Sequence, residues 1–187
     1  MKHRQQGLTL VELMVTLAVA IILLAVGMPL FSGIAANNRA VAEANLFLGG
    51  FKTARSEAVK RGTEVSVCAI DDPAASPLTC SADNGDWVNG LLVFTDGGVA
   101  GSVDGADARV KAFVNPTAGS NVTATTTYFR FRAQGEADQI SLVTNSLCAG
   151  SGSCLQIDRA GTTGNLLTRC LYIMASGQIR LERDPCS

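Results

Sequence analysis

The feature that most constrains this chain is an uncharged run of 26 residues, positions 13–38, preceded by a lone glutamate at Glu12 and a basic end holding Lys2, His3 and Arg4. The run is rich in Leu, Ile, Val and Ala and exceeds the ~20 residues that a helix needs to cross a hydrocarbon core, so it predicts a transmembrane helix. Cations on one flank favour keeping that flank cytoplasmic. An ordinary secretory signal would end in a small-residue cleavage site, for which Ala35-Ala36 could be mistaken, but here the apolar run continues into an amphipathic helix without such a break. Pro29 removes a backbone donor and crowds the preceding turn, which predicts a kink or local melting there.

Glu12 is the anomaly within this segment. It stands at the mouth of the apolar run, where burying an unpaired carboxylate is costly, and it therefore needs a partner. The basic leader, Gly7 and then Leu8-Thr9-Leu10-Val11-Glu12-Leu13 resemble the class III leader of type IV pilins and type II secretion pseudopilins. The resemblance implies that a prepilin peptidase cuts between Gly7 and Leu8 and methylates the new N-terminus. It also implies that Glu12 pairs with the terminal amine of a neighbouring subunit during filament assembly. Leu8 stands where those families usually carry phenylalanine, a departure that leaves the cleavage logic intact. The competing reading is a plain membrane anchor with an incidental glutamate. Losing Lys2 and Arg4 with the leader makes the mature chain slightly acidic.

At 187 residues the chain accommodates one domain of roughly 100 to 150 residues plus an appendage. Fifteen Lys and Arg against 16 Asp and Glu leave a net charge of −1, so no bulk field marks a nucleic-acid or anionic-membrane partner, and any polyanion must be met by a local cluster. Six cysteines, Cys68, Cys80, Cys148, Cys154, Cys170 and Cys186, lie beyond the apolar run, and an even number in an exported chain implies disulfides. Their connectivity stays open. Cys170 with Cys186 would tie the tail to the last hairpin, Cys148 with Cys154 would close a tight Gly- and Ser-rich loop, and Cys68 with Cys80 would remain. No C-x-x-C pair occurs and the only histidine, His3, is in the leader, which argues against zinc.

Val41, Ala44, Leu48, Phe51, Ala54 and Ala58 recur at helical steps, with Arg39, Glu43, Lys52, Glu57 and Lys60 mostly elsewhere around the helix. Lys60 and Arg61 followed by Gly62 mark its end, so one helix is expected over about residues 8 to 61. Alternation over 64–69 and 127–132 predicts half-buried strands, and 91–95, 109–114, 139–143, 154–157, 169–174 and 179–182 are further strand candidates, the last two joined through Ser176-Gly177. Residues 71–85 and 96–107 have loop composition. Asp104 and Asp107 lack the spaced ligand array of a calcium loop and are expected to be solvated. The expected fold class is α+β: a long N-terminal helix, transmembrane and then amphipathic, packed on an antiparallel β-sheet head. The expected divisions are a cleaved leader (1–7), a transmembrane and filament-core helix (8–35), and a globular head with a C-terminal hairpin and tail (36–187).

Arg55-Ser56-Glu57-Ala58-Val59, then Val65-Ser66-Val67-Cys68, then Trp87-Val88-Asn89-Gly90-Leu91-Leu92-Val93-Phe94-Thr95-Asp96 together resemble the GspH/FimT family of minor pilins and pseudopilins, over nearly the whole chain. In the DNA-uptake branch of that family the C-terminal segment carries a DNA-binding Gly-Arg-x-Arg motif. This chain has Gly177-Gln178-Ile179-Arg180, so the glycine and second arginine match while glutamine replaces the first arginine. One lost phosphate contact lowers both affinity and its salt slope. Arg169, Arg180 and Arg183 form a basic cluster on the terminal hairpin that would offer guanidinium groups to phosphates, and a Cys170–Cys186 tie would pre-position Arg180 and Arg183. The competing reading makes Arg180, Glu182 and Arg183 the solvated face of an edge strand, guarded by its charges. Arg130 and Arg132 alternate with Phe129 and Phe131, a pattern that favours a polar face over a core face rather than a second DNA contact.

No histidine-backed carboxylate pair, nucleophile elbow or phosphate-cradling glycine loop is present, so neither an enzyme nor a cofactor is expected. The resemblance implies a minor type IV pilin of low copy that primes or tips the pilus, with double-stranded DNA bound through the C-terminal arginines for natural transformation. The alternatives are a purely structural priming subunit and a type II secretion pseudopilin. The implied partners are other major and minor pilins, the prepilin peptidase and the inner membrane. The implied location is the bacterial inner membrane, single-pass with the head periplasmic, and then the pilus fibre.

Overall fold

The computed structural model of the chain describes residues 9–82, 87–116, 119–138, 153–160 and 166–183. A single helix, α1, spans Leu10–Arg61. Thr9 caps its start, its Oγ1 accepting the Glu12 N–H at 3.2 Å. Gly62 ends it in the left-handed region at φ 66°, its N–H donating to the Ala58 carbonyl at 2.9 Å. The helix is continuous through Pro29, so the melting expected there is not found. One missing donor removes a single rung, and the turns on either side remain helical.

Only the later half of α1 packs on the head. Ala40, Ala44, Phe47, Phe51, Ala54 and Ala58 are fully buried, alternating steps of four and three. Val41 and Leu48, expected on that stripe, are half-buried because the buried face is centred one residue around the helix, on Phe47 and Phe51. Small residues permit close approach: a Cβ at Gly50 would come within 2.4 Å of the Leu91 side chain.

The strands form two antiparallel sheets. The first has the order β3-β2-β1-β5 and the second β4-β6-β7-β8. The strands are β1 (Val65–Ala69), β2 (Gly90–Thr95), β3 (Arg109–Val114), β4 (Ser120–Ala124), β5 (Tyr128–Phe131), β6 (Ser153–Ala160), β7 (Leu166–Ile173) and β8 (Ile179–Arg183). Phe51 of α1, Trp87 and Phe129 of β5 meet in the core, with Phe51 edge-on to Phe129 at 5.0 Å and Trp87 at 5.5 Å from Phe129. The expected α+β architecture, a long helix on antiparallel sheet, is thus found, with β3 at its expected bounds and β6 and β7 longer than expected.

Two local expectations change. β1 is buried along its whole length, not half-buried. Its inner face packs on α1, while its outer face, with Cys68, joins Ile70, Leu92 and Phe94 in a second cluster covered by Leu78, Val103 and Tyr128. The Cys68–Cys80 disulfide and an Ile70–Cys80 bridge fold the intervening residues back over that face, so this part of the expected surface loop is a lid on a small core. β4 was not expected: Ser-Asn-Val-Thr-Ala shows little apolar character, and only its Val122 and Ala124 are buried, held by pairing with β6. The candidate strand 139–143 lies outside the described residues.

Candidate assembly stalk and terminal hairpin

The first half of α1 carries an apolar surface that the head does not cover. Leu10, Val11, Met14, Leu17, Ile21 and Leu24 are among side chains there that are all more than half exposed, on every side of the helix. A helix apolar all round belongs in lipid or among other helices. Among the described residues no helix is long and apolar enough to cross a membrane. Glu12 sits exposed in the first turn, where the helix dipole favours an anion, and among the described residues it forms no ion pair. Gly7 and Leu8 lie outside the described residues.

The terminal arginines do not form one cluster. Arg169 and Arg183 face each other across β7 and β8, whereas Arg180 faces Tyr172. Because side chains alternate along a strand, Arg180 and Arg183, three positions apart, point to opposite faces of the sheet. Arg169 is buried: its Nη2 donates to Asn37 Oδ1 of α1 at 3.0 Å and its Nη1 to the Thr168 carbonyl at 3.2 Å. Burial, and then the charge of Arg183, lowers its pKa below the ordinary arginine value. Its guanidinium ties the hairpin to the helix. Arg180 and Arg183 are exposed, with Glu182 between them.

Gly177 and Gln178 form the tip of this hairpin. Gly177 has φ 71° and donates to the Met174 carbonyl at 2.8 Å, and Gln178 is exposed. Beside them, Arg55 of α1 donates from Nε to the Gly135 carbonyl at 3.0 Å and from Nη2 to the Ser176 carbonyl at 3.2 Å. An open groove of ≈ 710 Å³ runs between α1 and the start of β8, lined by Lys52, Arg55, Ser56, Val59, Lys60, Gln178 and Ile179. The sequence placed Lys52 and Lys60 on the outer helix face but gave no sign of this groove.

The remaining charged candidates are occupied within the head. Arg130 pairs with Asp138 and, at 3.2 Å, with Glu64, while Arg132 pairs with Asp138 at 2.5 Å. They form the polar face opposite buried Phe129 and Phe131. Asp104 accepts the Val99 and Ala106 N–H groups, which hold its pKa below the usual carboxylate range, and Asp107 accepts those of Gly97 and Asp104. Among the described residues no group of side chains suits a metal ion. Glu43, expected on a charged outer face, is instead buried against Arg159 at 3.4 Å, Asn115 at 2.6 Å and Ser120. Cys154 and Cys170 are disulfide-bonded too, and the partners expected for them, Cys148 and Cys186, lie outside the described residues.

Comparison with known proteins gives two family matches. The model of type II transport protein GspH matches residues 43–161, and that of the prokaryotic N-terminal methylation motif matches residues 2–28. No curated protein matches the sequence. Among solved structures, the type IV minor pilin FimU of Pseudomonas aeruginosa PAO1 in one crystal form is 20% identical, with a TM-score of 0.52 over 78% of this chain and 89% of that one. A second crystal form of FimU gives 20% identity and a TM-score of 0.49 over 75% and 90%. The first of these is a likeness of fold.

Proposed function

The chain belongs to the family of type II transport protein GspH, and from that premise we propose that it is a minor pilin, a low-copy subunit that waits in the inner membrane and then helps prime or tip a pilus. The observation that carries this reading is the exposed, all-round apolar stalk of α1 with Glu12 in its first turn. Left in water, each Å² of that stalk costs about 25 cal/mol, so it needs lipid or other helices. Storage in a bilayer and packing among subunit helices meet that need in turn. The methylation motif over residues 2–28 supports prepilin peptidase as the processing partner, with the cut between Gly7 and Leu8. Glu12 is then the carboxylate that meets a neighbour's new terminal amine, and other pilins are the partners. The protein acts by binding, without catalysis or cofactor. In cells, Glu12→Ala should leave processing intact and abolish recovery of the chain in sheared filaments. Undiminished recovery would remove Glu12 from assembly.

Capture of double-stranded DNA for natural transformation is a second reading, favoured by the exposure of Arg180 and Arg183. With those side chains on opposite faces, a duplex would have to meet the edge of β8 rather than lie on one sheet face. Titrating the detergent-solubilised chain with duplex DNA at low and moderate salt tests it: Arg180→Ala with Arg183→Ala should abolish binding. Unchanged binding would reject these residues, and no binding by the native chain would favour a purely structural priming role. The family's own description favours a third reading, a type II secretion pseudopilin. The same stalk would serve it, and the filament that takes up the chain, pilus or secretion pseudopilus, decides between them.

A further inference from the structure

Among the described residues β8 is the edge of its sheet, and no strand pairs with its outer side. The Met174 N–H donates to the Gln178 carbonyl at 3.0 Å, so the residues paired beyond it alternate from that point. Tyr172–Arg180 and Cys170–Glu182 exchange hydrogen bonds, while Ile173–Ile179, Leu171–Leu181 and Arg169–Arg183 are the non-hydrogen-bonded pairs. The N–H and C=O groups of Ile179, Leu181 and Arg183 therefore point away from β7, and among the described residues none of them has a partner.

The groove between α1 and β8 lies beside this free edge, and its charge is one-sided. Lys52, Arg55 and Lys60 line it, and among the described residues no carboxylate does. Arg55 is held by two carbonyls that leave its charge uncompensated. Lys60 has Glu57 at 3.7 Å, and Lys52 forms no ion pair among the described residues. Val59 and Ile179 give the groove an apolar floor.

We propose that β8 accepts an extended, acidic segment of a partner protein as an added strand, whose alternate side chains enter the groove beside α1. A strand satisfies the outward donors and acceptors together, whereas a nucleic-acid backbone would satisfy the N–H groups and be repelled by the carbonyls between them. Side chains on one face of a strand recur about every 6.7 Å, so successive inward carboxylates meet the lysines of α1 and then Arg183 on the inner face of β8. On the open face Arg180 is accompanied by Glu182, so the selection for acid resides on the groove side. A second copy of β8 is a poor occupant: paired antiparallel over its full length it would bring Ile179, Leu181 and Arg183 to the groove side, where no carboxylate would meet the lysines of α1. The inference is independent of the DNA reading and of which filament takes up the chain.

The test uses the full chain in detergent micelles and a short synthetic peptide of alternating glutamate and valine. Peptide affinity is measured by fluorescence anisotropy, and backbone amide exchange is measured by NMR. The acidic peptide should bind and slow exchange at Ile179, Leu181 and Arg183. Affinity should fall at least about tenfold, or ~1.4 kcal/mol, when alternate peptide nitrogens on the pairing edge are methylated. A similar fall is expected for Lys52→Glu with Lys60→Glu, and a lysine-for-glutamate peptide should not bind. The methylated peptide leaves the protein untouched, so its result stands whether or not the variant folds. Equal affinity for the methylated peptide would overturn strand addition, as would unchanged exchange at the three amides or no binding at all. A duplex oligonucleotide protecting those amides where the peptide does not would overturn the choice of partner.

Discussion

Arg55 reaches from α1 to the carbonyl oxygen of Gly135 at 3.0 Å, and through its other arm to Ser176, so one guanidinium holds a turn from each sheet against the helix. The two turns touch directly: the Ala137 N–H donates to the Ala175 carbonyl at 3.0 Å. A Cβ on Gly177 would lie 1.8 Å from the Gly135 oxygen. The glycine that heads the motif-like Gly177-Gln178-Ile179-Arg180 segment is therefore required by packing, whatever the hairpin binds.

Gly177→Ala combines that clash with a left-handed φ of 71° and should destabilise the head by roughly 1–3 kcal/mol. Arg55→Ala, which frees two carbonyls that water can partly reach, should cost about 1–2 kcal/mol. Denaturant midpoints at constant m-value measure both, and a neutral Gly177→Ala would contradict the close approach of the two turns.

Glu43 and Arg159 form a buried ion pair that ties α1 to β6, with Asn115 and Ser120 also on the carboxylate. Removing one partner of such a pair typically costs about 3–5 kcal/mol, so Arg159→Met should lower stability by roughly 3 kcal/mol. Glu43→Gln, which keeps an acceptor for Asn115 and Ser120, should cost less. Thermal melts of the two variants check the order.

Asp138 gives the head an acid-sensitive joint. The hydrogen bond from Arg130, and then that from Arg132, hold its carboxyl below the usual aspartate range. A carboxyl with a depressed folded-state pKa contributes stability that is present above its unfolded pKa, about 4, and is lost as pH falls through the folded value. Asp138→Asn should thus lower stability near neutral pH and flatten the loss of stability below about pH 4. An unchanged acid limb in the variant would assign the acid sensitivity elsewhere.

Much of this fold was legible because local signals agreed. Lys60, Arg61 and Gly62 end α1, and alternation over 64–69 and 127–132 marks β1 and β5, whereas the pairing of Cys68 with Cys80 was left open by the sequence and is decided by the fold. β4 was illegible because its pairing with β6, not its polar sequence, makes it a strand. Glu43 read as a surface charge because its partners are 72 to 116 positions away. The hairpin arginines divide instructively. That Arg180 and Arg183 oppose each other follows from their odd separation and was readable in the sequence. The burial of Arg169 against Asn37 depended on how the hairpin docks on α1, which no local pattern carries.

The central claim is that the chain is cut after Gly7 and built into a filament through its stalk. Mass spectrometry of the chain recovered from sheared surface filaments tests it most directly. The account predicts a chain that begins at N-methylated Leu8 and is present in small amounts beside an abundant major subunit. A chain that keeps Met1 to Gly7 and stays wholly in the membrane fraction would contradict it.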